Sequence, residues 1–371
     1  MKERRPLVHG HLLEQRLGGA SRADDRVDLA GLVIGTSPSS SPVAGLRTWI
    51  DAVVAMPATL DCRTMPPTPL EPAPAALAQG RDVWLKREDQ HELGAFKWRG
   101  ALPAMRAFRD AGATTVVTAS TGNHGAASAW AAAQLGMRAI VYAPEGSTQA
   151  KLDLIEQHGG EMRIFGADFD LAKDEAERVA GAEGMPFFAD GAEEPQYGGY
   201  AEIADEVLDQ LGAAPRAIVV PVGNGALLGG IGLRLAGRAP QTLRIGVVAT
   251  AAPVMAESWE AGRLVEGGAD PTIADGLAVR VAIPYAVEVL ARAAQRMIRV
   301  DERQLAVAIG AFAAAGIRVE ASAAAALAAL PEVEPVDGPV VLIVTGRNID
   351  EALYRRAVDD PGSFPTRNAT T

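Results

Sequence analysis

Thr115-Val116-Val117-Thr118-Ala119-Ser120-Thr121-Gly122-Asn123-His124-Gly125 is the stretch that decides the fold. It reads as a short β-branched strand, Thr115 to Thr118, running into a polar loop, Ala119 to Gly125. A helix of small residues, Ala126 to Leu135, follows, and then a second strand, Arg138 to Tyr142. Strand, loop, helix and strand at this spacing form a βαβ unit, with parallel strands that helices must cover. The alternation extends both ways. Upstream, Asp82 to Lys86 predicts a strand and Gly100 to Ala111 a helix. Downstream come a helix over Gln149 to Gly159, a strand over Glu161 to Phe165 and a helix from Tyr200 to Leu211. Strands follow at Ala217 to Pro221 and Arg244 to Val248, then further helices, with a last clear strand at Val340 to Val344. The Pro-rich Met65-Pro66-Pro67-Thr68-Pro69-Leu70 is expected to be a loop.

The bulk numbers fit this α/β reading. The 371 residues are 48% hydrophobic and 22% charged, enough for a globular protein of two lobes. A formal net charge of -11 argues against nucleic acid or an anionic membrane as partner. Cys62 is the single cysteine, which excludes an intramolecular disulfide and fits the cytoplasm. Met1-Lys2-Glu3-Arg4-Arg5 is not followed by a sustained apolar stretch, so it makes a poor signal peptide. No apolar run is long enough to span a bilayer. Residues 1–45, closing on Ser37-Pro38-Ser39-Ser40-Ser41-Pro42, are expected to be an arm, and Pro361 to Thr371 a frayed tail.

Chemistry enters with Lys97, in Glu92-Leu93-Gly94-Ala95-Phe96-Lys97-Trp98-Arg99-Gly100-Ala101. Lysine occurs only at Lys2, Lys86, Lys97, Lys151 and Lys173, although Lys plus Arg total 35. Arginine cannot act as an imine-forming nucleophile near neutrality, whereas a lysine in an apolar setting can. Lys97 alone also fits a surface lysine at a helix start. A glycine loop, Val222-Gly223-Asn224-Gly225-Ala226-Leu227-Leu228-Gly229-Gly230, leaves the strand Ala217 to Pro221. Its amides can converge on an anion, for which phosphate is the natural ligand, though a tight β-to-α turn would look the same. It misses the dinucleotide fingerprint by one residue, and no Lys follows as in a P-loop. Ser120, Thr121, Gly122, Asn123 and His124 lie at a strand's C-terminal edge, where hydroxyls and amides suit a carboxylate. Thr345-Gly346-Arg347-Asn348 ends an apolar strand and puts a hydroxyl where a ring nitrogen could meet it. An aldehyde acceptor, a phosphate cradle, a carboxylate turn and a ring-nitrogen partner together call for pyridoxal 5'-phosphate.

From about Thr68 to Asp350 the chain resembles the fold-type II pyridoxal-phosphate enzymes. These include threonine and serine dehydratases, threonine synthase, cysteine synthase and serine racemase. The carrying motifs are Thr68-Pro69-Leu70, Leu85-Lys86-Arg87-Glu88-Asp89, Ala95-Phe96-Lys97-Trp98-Arg99-Gly100-Ala101, Asp275-Gly276-Leu277-Ala278-Val279, Val319-Glu320-Ala321-Ser322-Ala323-Ala324 and Thr345-Gly346-Arg347-Asn348. The resemblance implies an α/β, tryptophan synthase beta-like fold: two parallel-sheet lobes with the active site between them. Residues 46–97 and 190–355 would form the large cofactor lobe, 98–189 a small mobile lobe and 356–371 a tail. It implies Lys97 as the internal-aldimine lysine and base, and Phe96 beside the cofactor ring. Asn123 would bond the phenolate oxygen, and Gly223, Asn224, Gly225, Ala226 and Leu227 would cradle the phosphate. Gly276 would lie against the ring and Thr345 would face its nitrogen. A homodimer acting on a small amino acid is implied as well.

The reaction so implied is α,β-elimination from a β-hydroxy or β-substituted L-amino acid through an aminoacrylate, giving a 2-oxo acid and ammonia. A replacement synthase is the alternative, because Gly223-Asn224-Gly225-Ala226 and Ala119-Ser120-Thr121-Gly122-Asn123 resemble threonine synthase, while His124-Gly125 resembles dehydratases. A racemase with Thr121 as second-face base ranks third, ahead of a non-catalytic binding protein. Ala95 replaces the family's frequent Ser. Val248 falls where some relatives carry a metal-binding Glu, so no metal is expected. Nothing resembling a regulatory domain is expected after Asp350.

Overall fold

A computed structural model describes residues 65–268 and 270–366. The expected N-terminal arm lies outside the described residues. Nine strands form two sheets among the described residues. The larger has the order β1 (Leu70–Pro72), β2 (Val83–Arg87), β9 (Val340–Val344), β6 (Ala217–Pro221), β7 (Leu243–Ala249) and β8 (Arg296–Val300). Only β1 runs antiparallel to its neighbour. The smaller sheet is parallel throughout: β3 (Thr115–Ala119), β4 (Arg138–Ala143) and β5 (Gly160–Ile164).

Alternate residues of β6 enter different cores. Ala217 and Val219 pack on one face of the large sheet, Ile218 and Val220 on the other, and all are fully buried. This is why the strand reads as an unbroken apolar run: both faces are covered. The smaller sheet is likewise sandwiched. Val116 and Val141 pack beneath α2 (Trp98–Asp110) and α3 (Asn123–Gln134), while Val117, Ile140 and Tyr142 face α5 (Phe169–Glu183). Between α3 and α5 the chain forms α4 (Gln149–Gln157), and α1 is the short Ala75–Ala78.

The remaining helices are α6 (Glu194–Leu211), α7 (Ala226–Arg238), α8 (Val254–Ala261), α9 (Pro284–Ala293), α10 (Glu302–Ala314), α11 (Ala321–Ala328) and α12 (Glu351–Asp359). Helix α6 starts six residues before the expected Tyr200. Gly198-Gly199 looks like a break in sequence, but a Cβ on Gly199 would overlap the Arg99 carbonyl, so glycine permits close packing on α2. Glu193 and Gln196 form a capping box at the true start.

Two strands escape the sequence reading. Strand β1 starts at Leu70, the last residue of the stretch expected to be a loop, and its Pro72 is tolerated because the strand is at the sheet edge. Strand β8, Arg296-Met297-Ile298-Arg299-Val300, falls where helices were expected. The tail expectation is corrected over residues 361–366, the described part of the tail. Helix α12 runs to Asp359, Phe364 is buried under Arg356, and Arg303 bonds the carbonyls of Gly362, Phe364 and Pro365. Among the described residues no helix is long and apolar enough to cross a membrane.

Candidate active site

Lys97 is the residue that caps α2. Its side chain is 16% exposed, too enclosed for the surface-lysine alternative. Two long-range contacts place it. The end of β9 pairs with the segment before Lys97 through an antiparallel bridge between Ala95 and Gly346, and Phe96 N donates to Thr345 O at 3.0 Å. Two residues past Lys97, Arg99 is locked in a buried ionic cluster. Arg99 Nε donates to Glu88 Oε2 at 2.7 Å and its Nη1 to Glu206 Oε1 at 2.8 Å. Lys86 Nζ joins the same Glu206 at 2.5 Å and Thr68 O at 2.7 Å. The first turn of α2 is therefore held from both sides.

Lys97 Nζ lies 5.1 Å from the Phe96 ring centroid and donates to Asp190 Oδ2 at 2.6 Å. Burial would raise the Asp190 carboxyl, but the Lys97 ammonium, then His124, and hydrogen bonds from Lys97 and Gln196 hold it well below the usual carboxylate range. Behind Asp190 stands His124, with Nδ1 3.6 Å from Asp190 Oδ1. Burial pushes the imidazole down and Lys97 adds to this, while Asp190 opposes it.

The loop Ser120 to Gly125 caps α3. Ser120 Oγ accepts from Gly122 N at 3.1 Å and Gly125 N at 2.9 Å. Those two amides are thus already used, leaving the Ser120 hydroxyl proton and the first-turn amides of Asn123 and His124, which have no intrahelical acceptor. The His124 ring differs from the expected substrate contact. It turns inward, lies tilted against Phe188 with ring centroids 4.6 Å apart and meets Thr118 Oγ1 at 3.0 Å, so only its backbone faces outward. Thr121 and Gly122 are half-buried at the loop's tip.

Asn123 bridges the two sheets. Its Nδ2 donates to Glu320 Oε2 at 2.9 Å, and its Oδ1 accepts from Asn348 Nδ2 at 2.9 Å. One amide hydrogen remains for another acceptor. Glu320 is the residue before α11, and burial pushes its carboxyl up to about 8, with Asp275 adding to the rise.

The phosphate-type loop leads from β6 into α7, with Gly225 at φ +92°. Asn224 Oδ1 accepts from Ala226 N at 3.1 Å. A Cβ on Gly223 would overlap the Gly276 carbonyl oxygen, so the loop and the Asp275–Leu277 turn meet backbone to backbone. Ala226 and Leu227 form the buried first turn of α7, whose N-terminus favours an anion. Thr345 Oγ1 is buried without a hydrogen-bond partner, as is Ser322 Oγ, which lies against Gly276. A buried hydroxyl left unpaired costs free energy, so the orphaned Thr345 oxygen fits a missing ring-nitrogen partner. The residues present therefore fit pyridoxal phosphate.

Sequence reasoning missed Asp190 and left Glu320 without a role. The only local sign for Asp190 was an acid following the aromatic pair Phe187-Phe188.

The profile of the pyridoxal-phosphate dependent enzymes matches residues 63–346. The chain is 34% identical over 336 residues to the biosynthetic L-threonine dehydratase of Mycobacterium tuberculosis, covering 87% of this chain and 77% of the relative. It is 32% identical over 275 residues to the L-threonine ammonia-lyase of Geobacter sulfurreducens, covering 73% and 68%. In structure it is similar to the processed form of threonine deaminase isoform 2 from Solanum lycopersicum. The TM-score is 0.77 and the identity 26%, over 90% of this chain and 98% of that one. The fold is the fold-type II arrangement that the sequence motifs suggested. With its match extending through both sheets and the lysine segment, the chain belongs to the pyridoxal-phosphate dependent enzymes.

Proposed function

We propose that the protein is a lyase that removes water, or another β-substituent, from a β-hydroxy or β-substituted L-amino acid, giving a 2-oxo acid and ammonia. The observation that carries this is the convergence of Lys97 and the orphaned Thr345 hydroxyl through a single backbone pairing. The dehydratase and ammonia-lyase names of the relatives support it. In this reading Gly223 to Leu227 hold the cofactor phosphate, Phe96 and Gly276 flank its ring, and Asn123 bonds its ring oxygen. Thr345 meets the ring nitrogen without protonating it, since a hydroxyl is a far weaker acid than a carboxyl. The bound cofactor supplies an electron sink for the substrate's α-carbon. Lys97 anchors it and, once free, removes the α-proton. Ser120 to His124 hold the substrate carboxylate through the Ser120 hydroxyl and the amides at the start of α3. Residues 98–189 form one lobe in this reading, and 46–97 with 190–355 the other. A cytoplasmic homodimer completes it.

The test mixes purified protein with L-threonine, L-serine, O-acetyl-L-serine and O-phospho-L-homoserine, following cofactor absorbance and 2-oxo acid together. Oxo-acid release without an added nucleophile is expected from the first two. Product formation only after a thiol or amine is added would replace elimination by the synthase alternative. Absence of cofactor on the Lys97 peptide after borohydride reduction would sink both.

A further inference from the structure

The Asp190 carboxylate and the His124 ring stand beside Lys97 with no part in the reaction as described. Their hydrogen bonds fix their states. Thr118 Oγ1 donates its one proton to Phe188 O at 2.8 Å, so towards His124 Nε2, 3.0 Å away, it accepts. The imidazole therefore carries a proton on Nε2. Its Nδ1 then faces Asp190 Oδ1 at 3.6 Å with a lone pair when neutral and with an N–H when charged. Gln196 donates from Nε2 to the same Oδ1 at 3.2 Å and accepts from Gly191 N at 2.9 Å through its own Oε1. The other oxygen, Oδ2, is directed at Lys97 Nζ.

Several elements thus surround one carboxylate: Lys97 from α2, His124 from α3 and Gln196 from α6. Tyr197 and Tyr200 of α6 also sense its charge, which adds to burial in keeping both phenols neutral. Tyr197 itself donates to the Gly191 carbonyl at 2.8 Å, holding the residue next to Asp190. A carboxylate bonded by Gln196 on one oxygen and aimed at one amine with the other is a built counter-ion, unlike the surface ion pairs elsewhere on the molecule.

We propose that Asp190 is the positioning counter-carboxylate of Lys97: it aims the amine and stabilises the ammonium formed when the lysine takes the substrate's α-proton. This rests on Lys97 being the cofactor lysine. In the step, the α-carbon–hydrogen bond breaks and an N–H bond forms on Nζ. The carbon electron pair passes to the cofactor's sink, and the new ammonium is paired with Oδ2, so no proton leaves the site. Gln196 holds Asp190 in register for this.

The inference separates two rates that a structural lesion would lower together. Attachment of the cofactor to the apoprotein needs Lys97 Nζ drawn away from Asp190 Oδ2, and the carboxylate's charge holds it there. Asp190→Asn keeps the shape and removes the charge. Attachment followed by stopped-flow absorbance at neutral pH should become about tenfold faster, while kcat on L-threonine or L-serine falls by about 10- to 100-fold with KM little changed. The α-deuterium isotope effect on kcat should rise, because proton transfer becomes more limiting. Asp190→Glu, which restores the charge, should recover part of the kcat loss.

Attachment and turnover both at wild-type rates, or both slowed in Asp190→Asn, would overturn the inference while leaving the function standing. Wild-type protein with no cofactor on the Lys97 peptide after reduction would overturn the function and this inference with it. Should Asp190→Asn not fold, Asp190→Glu decides alone. A lowered kcat with a raised isotope effect is expected, and an unaltered kcat would overturn it.

Discussion

Replacing Glu320 by Gln should stabilise the protein, and increasingly so as pH rises. The carboxyl is 5% exposed, and burial, with Asp275 adding, raises it from 4.5 to about 8. In the unfolded chain it ionises near its ordinary value. Between those two values the folded state therefore holds one more proton than the unfolded state, and stability must fall as pH rises. The contribution is complete below the unfolded value and is lost as pH passes through the folded one. At about 1.4 kcal/mol per pH unit, the interval corresponds to roughly 4–5 kcal/mol, of which roughly 3 has gone by neutrality. Glutamine keeps the protonated shape, and its oxygen can still accept from Asn123 Nδ2, which bonds Glu320 at 2.9 Å. The variant should match wild type near pH 4, gain roughly 3 kcal/mol near pH 7 and gain most above pH 8. Urea unfolding of both cofactor-free proteins across this range gives the difference directly. Parallel stability curves would refute the argument, since they would mean Glu320 titrates alike folded and unfolded.

Thr345→Val removes a buried hydroxyl that has no partner, so the apoprotein should be unchanged or up to about 1 kcal/mol more stable. Cofactor binding, measured by absorbance titration, should nonetheless weaken. Gly223→Ala would drive a methyl into the Gly276 carbonyl, a backbone that cannot swing aside, so stability should fall by about 1–3 kcal/mol and cofactor affinity by more than tenfold. Arg99→Leu strips Glu88 of its ion-pair partner and leaves Glu206 with Lys86 alone, both carboxylates staying buried. Chemical denaturation should register a loss of about 3–5 kcal/mol.

The parallel strands were legible because burial on both faces writes them as continuous apolar runs. Seven strands, β2 to β7 and β9, match expectation to within one residue at each end. The two edge strands of the larger sheet, β1 and β8, were not legible. Proline disguised β1, and in β8 two arginines replaced the apolar run with an irregular pattern. The start of α6 before Tyr200 was not legible, because a glycine such as Gly199 can signal either a break or a close neighbour, and only the partner, Arg99, tells which. Among the candidate site residues, those on loops leaving strands were legible from glycines, hydroxyls and a rare lysine set against apolar sequence. His124 was legible as a member of the loop but not in orientation, since the Thr118 and Phe188 groups that turn its ring inward lie on other elements.

What stayed hidden shares one property: its meaning depends on a partner far away in sequence. Asp190 is an unremarked acid until folding brings Lys97 Nζ to 2.6 Å, and Glu320 until Asn123 reaches it from the other sheet. The same holds for the cluster of Lys86, Glu88, Arg99 and Glu206. In sequence it reads as ordinary surface charge; in the fold each side chain is fully buried and the arginine is shared between two carboxylates. An apolar substitute could fill that space at no loss of stability, since buried ion pairs often gain little over hydrophobic packing. What hydrophobic packing lacks is direction. Two residues beyond Lys97, four hydrogen bonds from Arg99 to two fixed carboxylates set the rotation of the first turn of α2. The pairing of Ala95 with Gly346 sets the chain just before it. Lys97 is held between the two, and its amine reaches Asp190 Oδ2 at 2.6 Å.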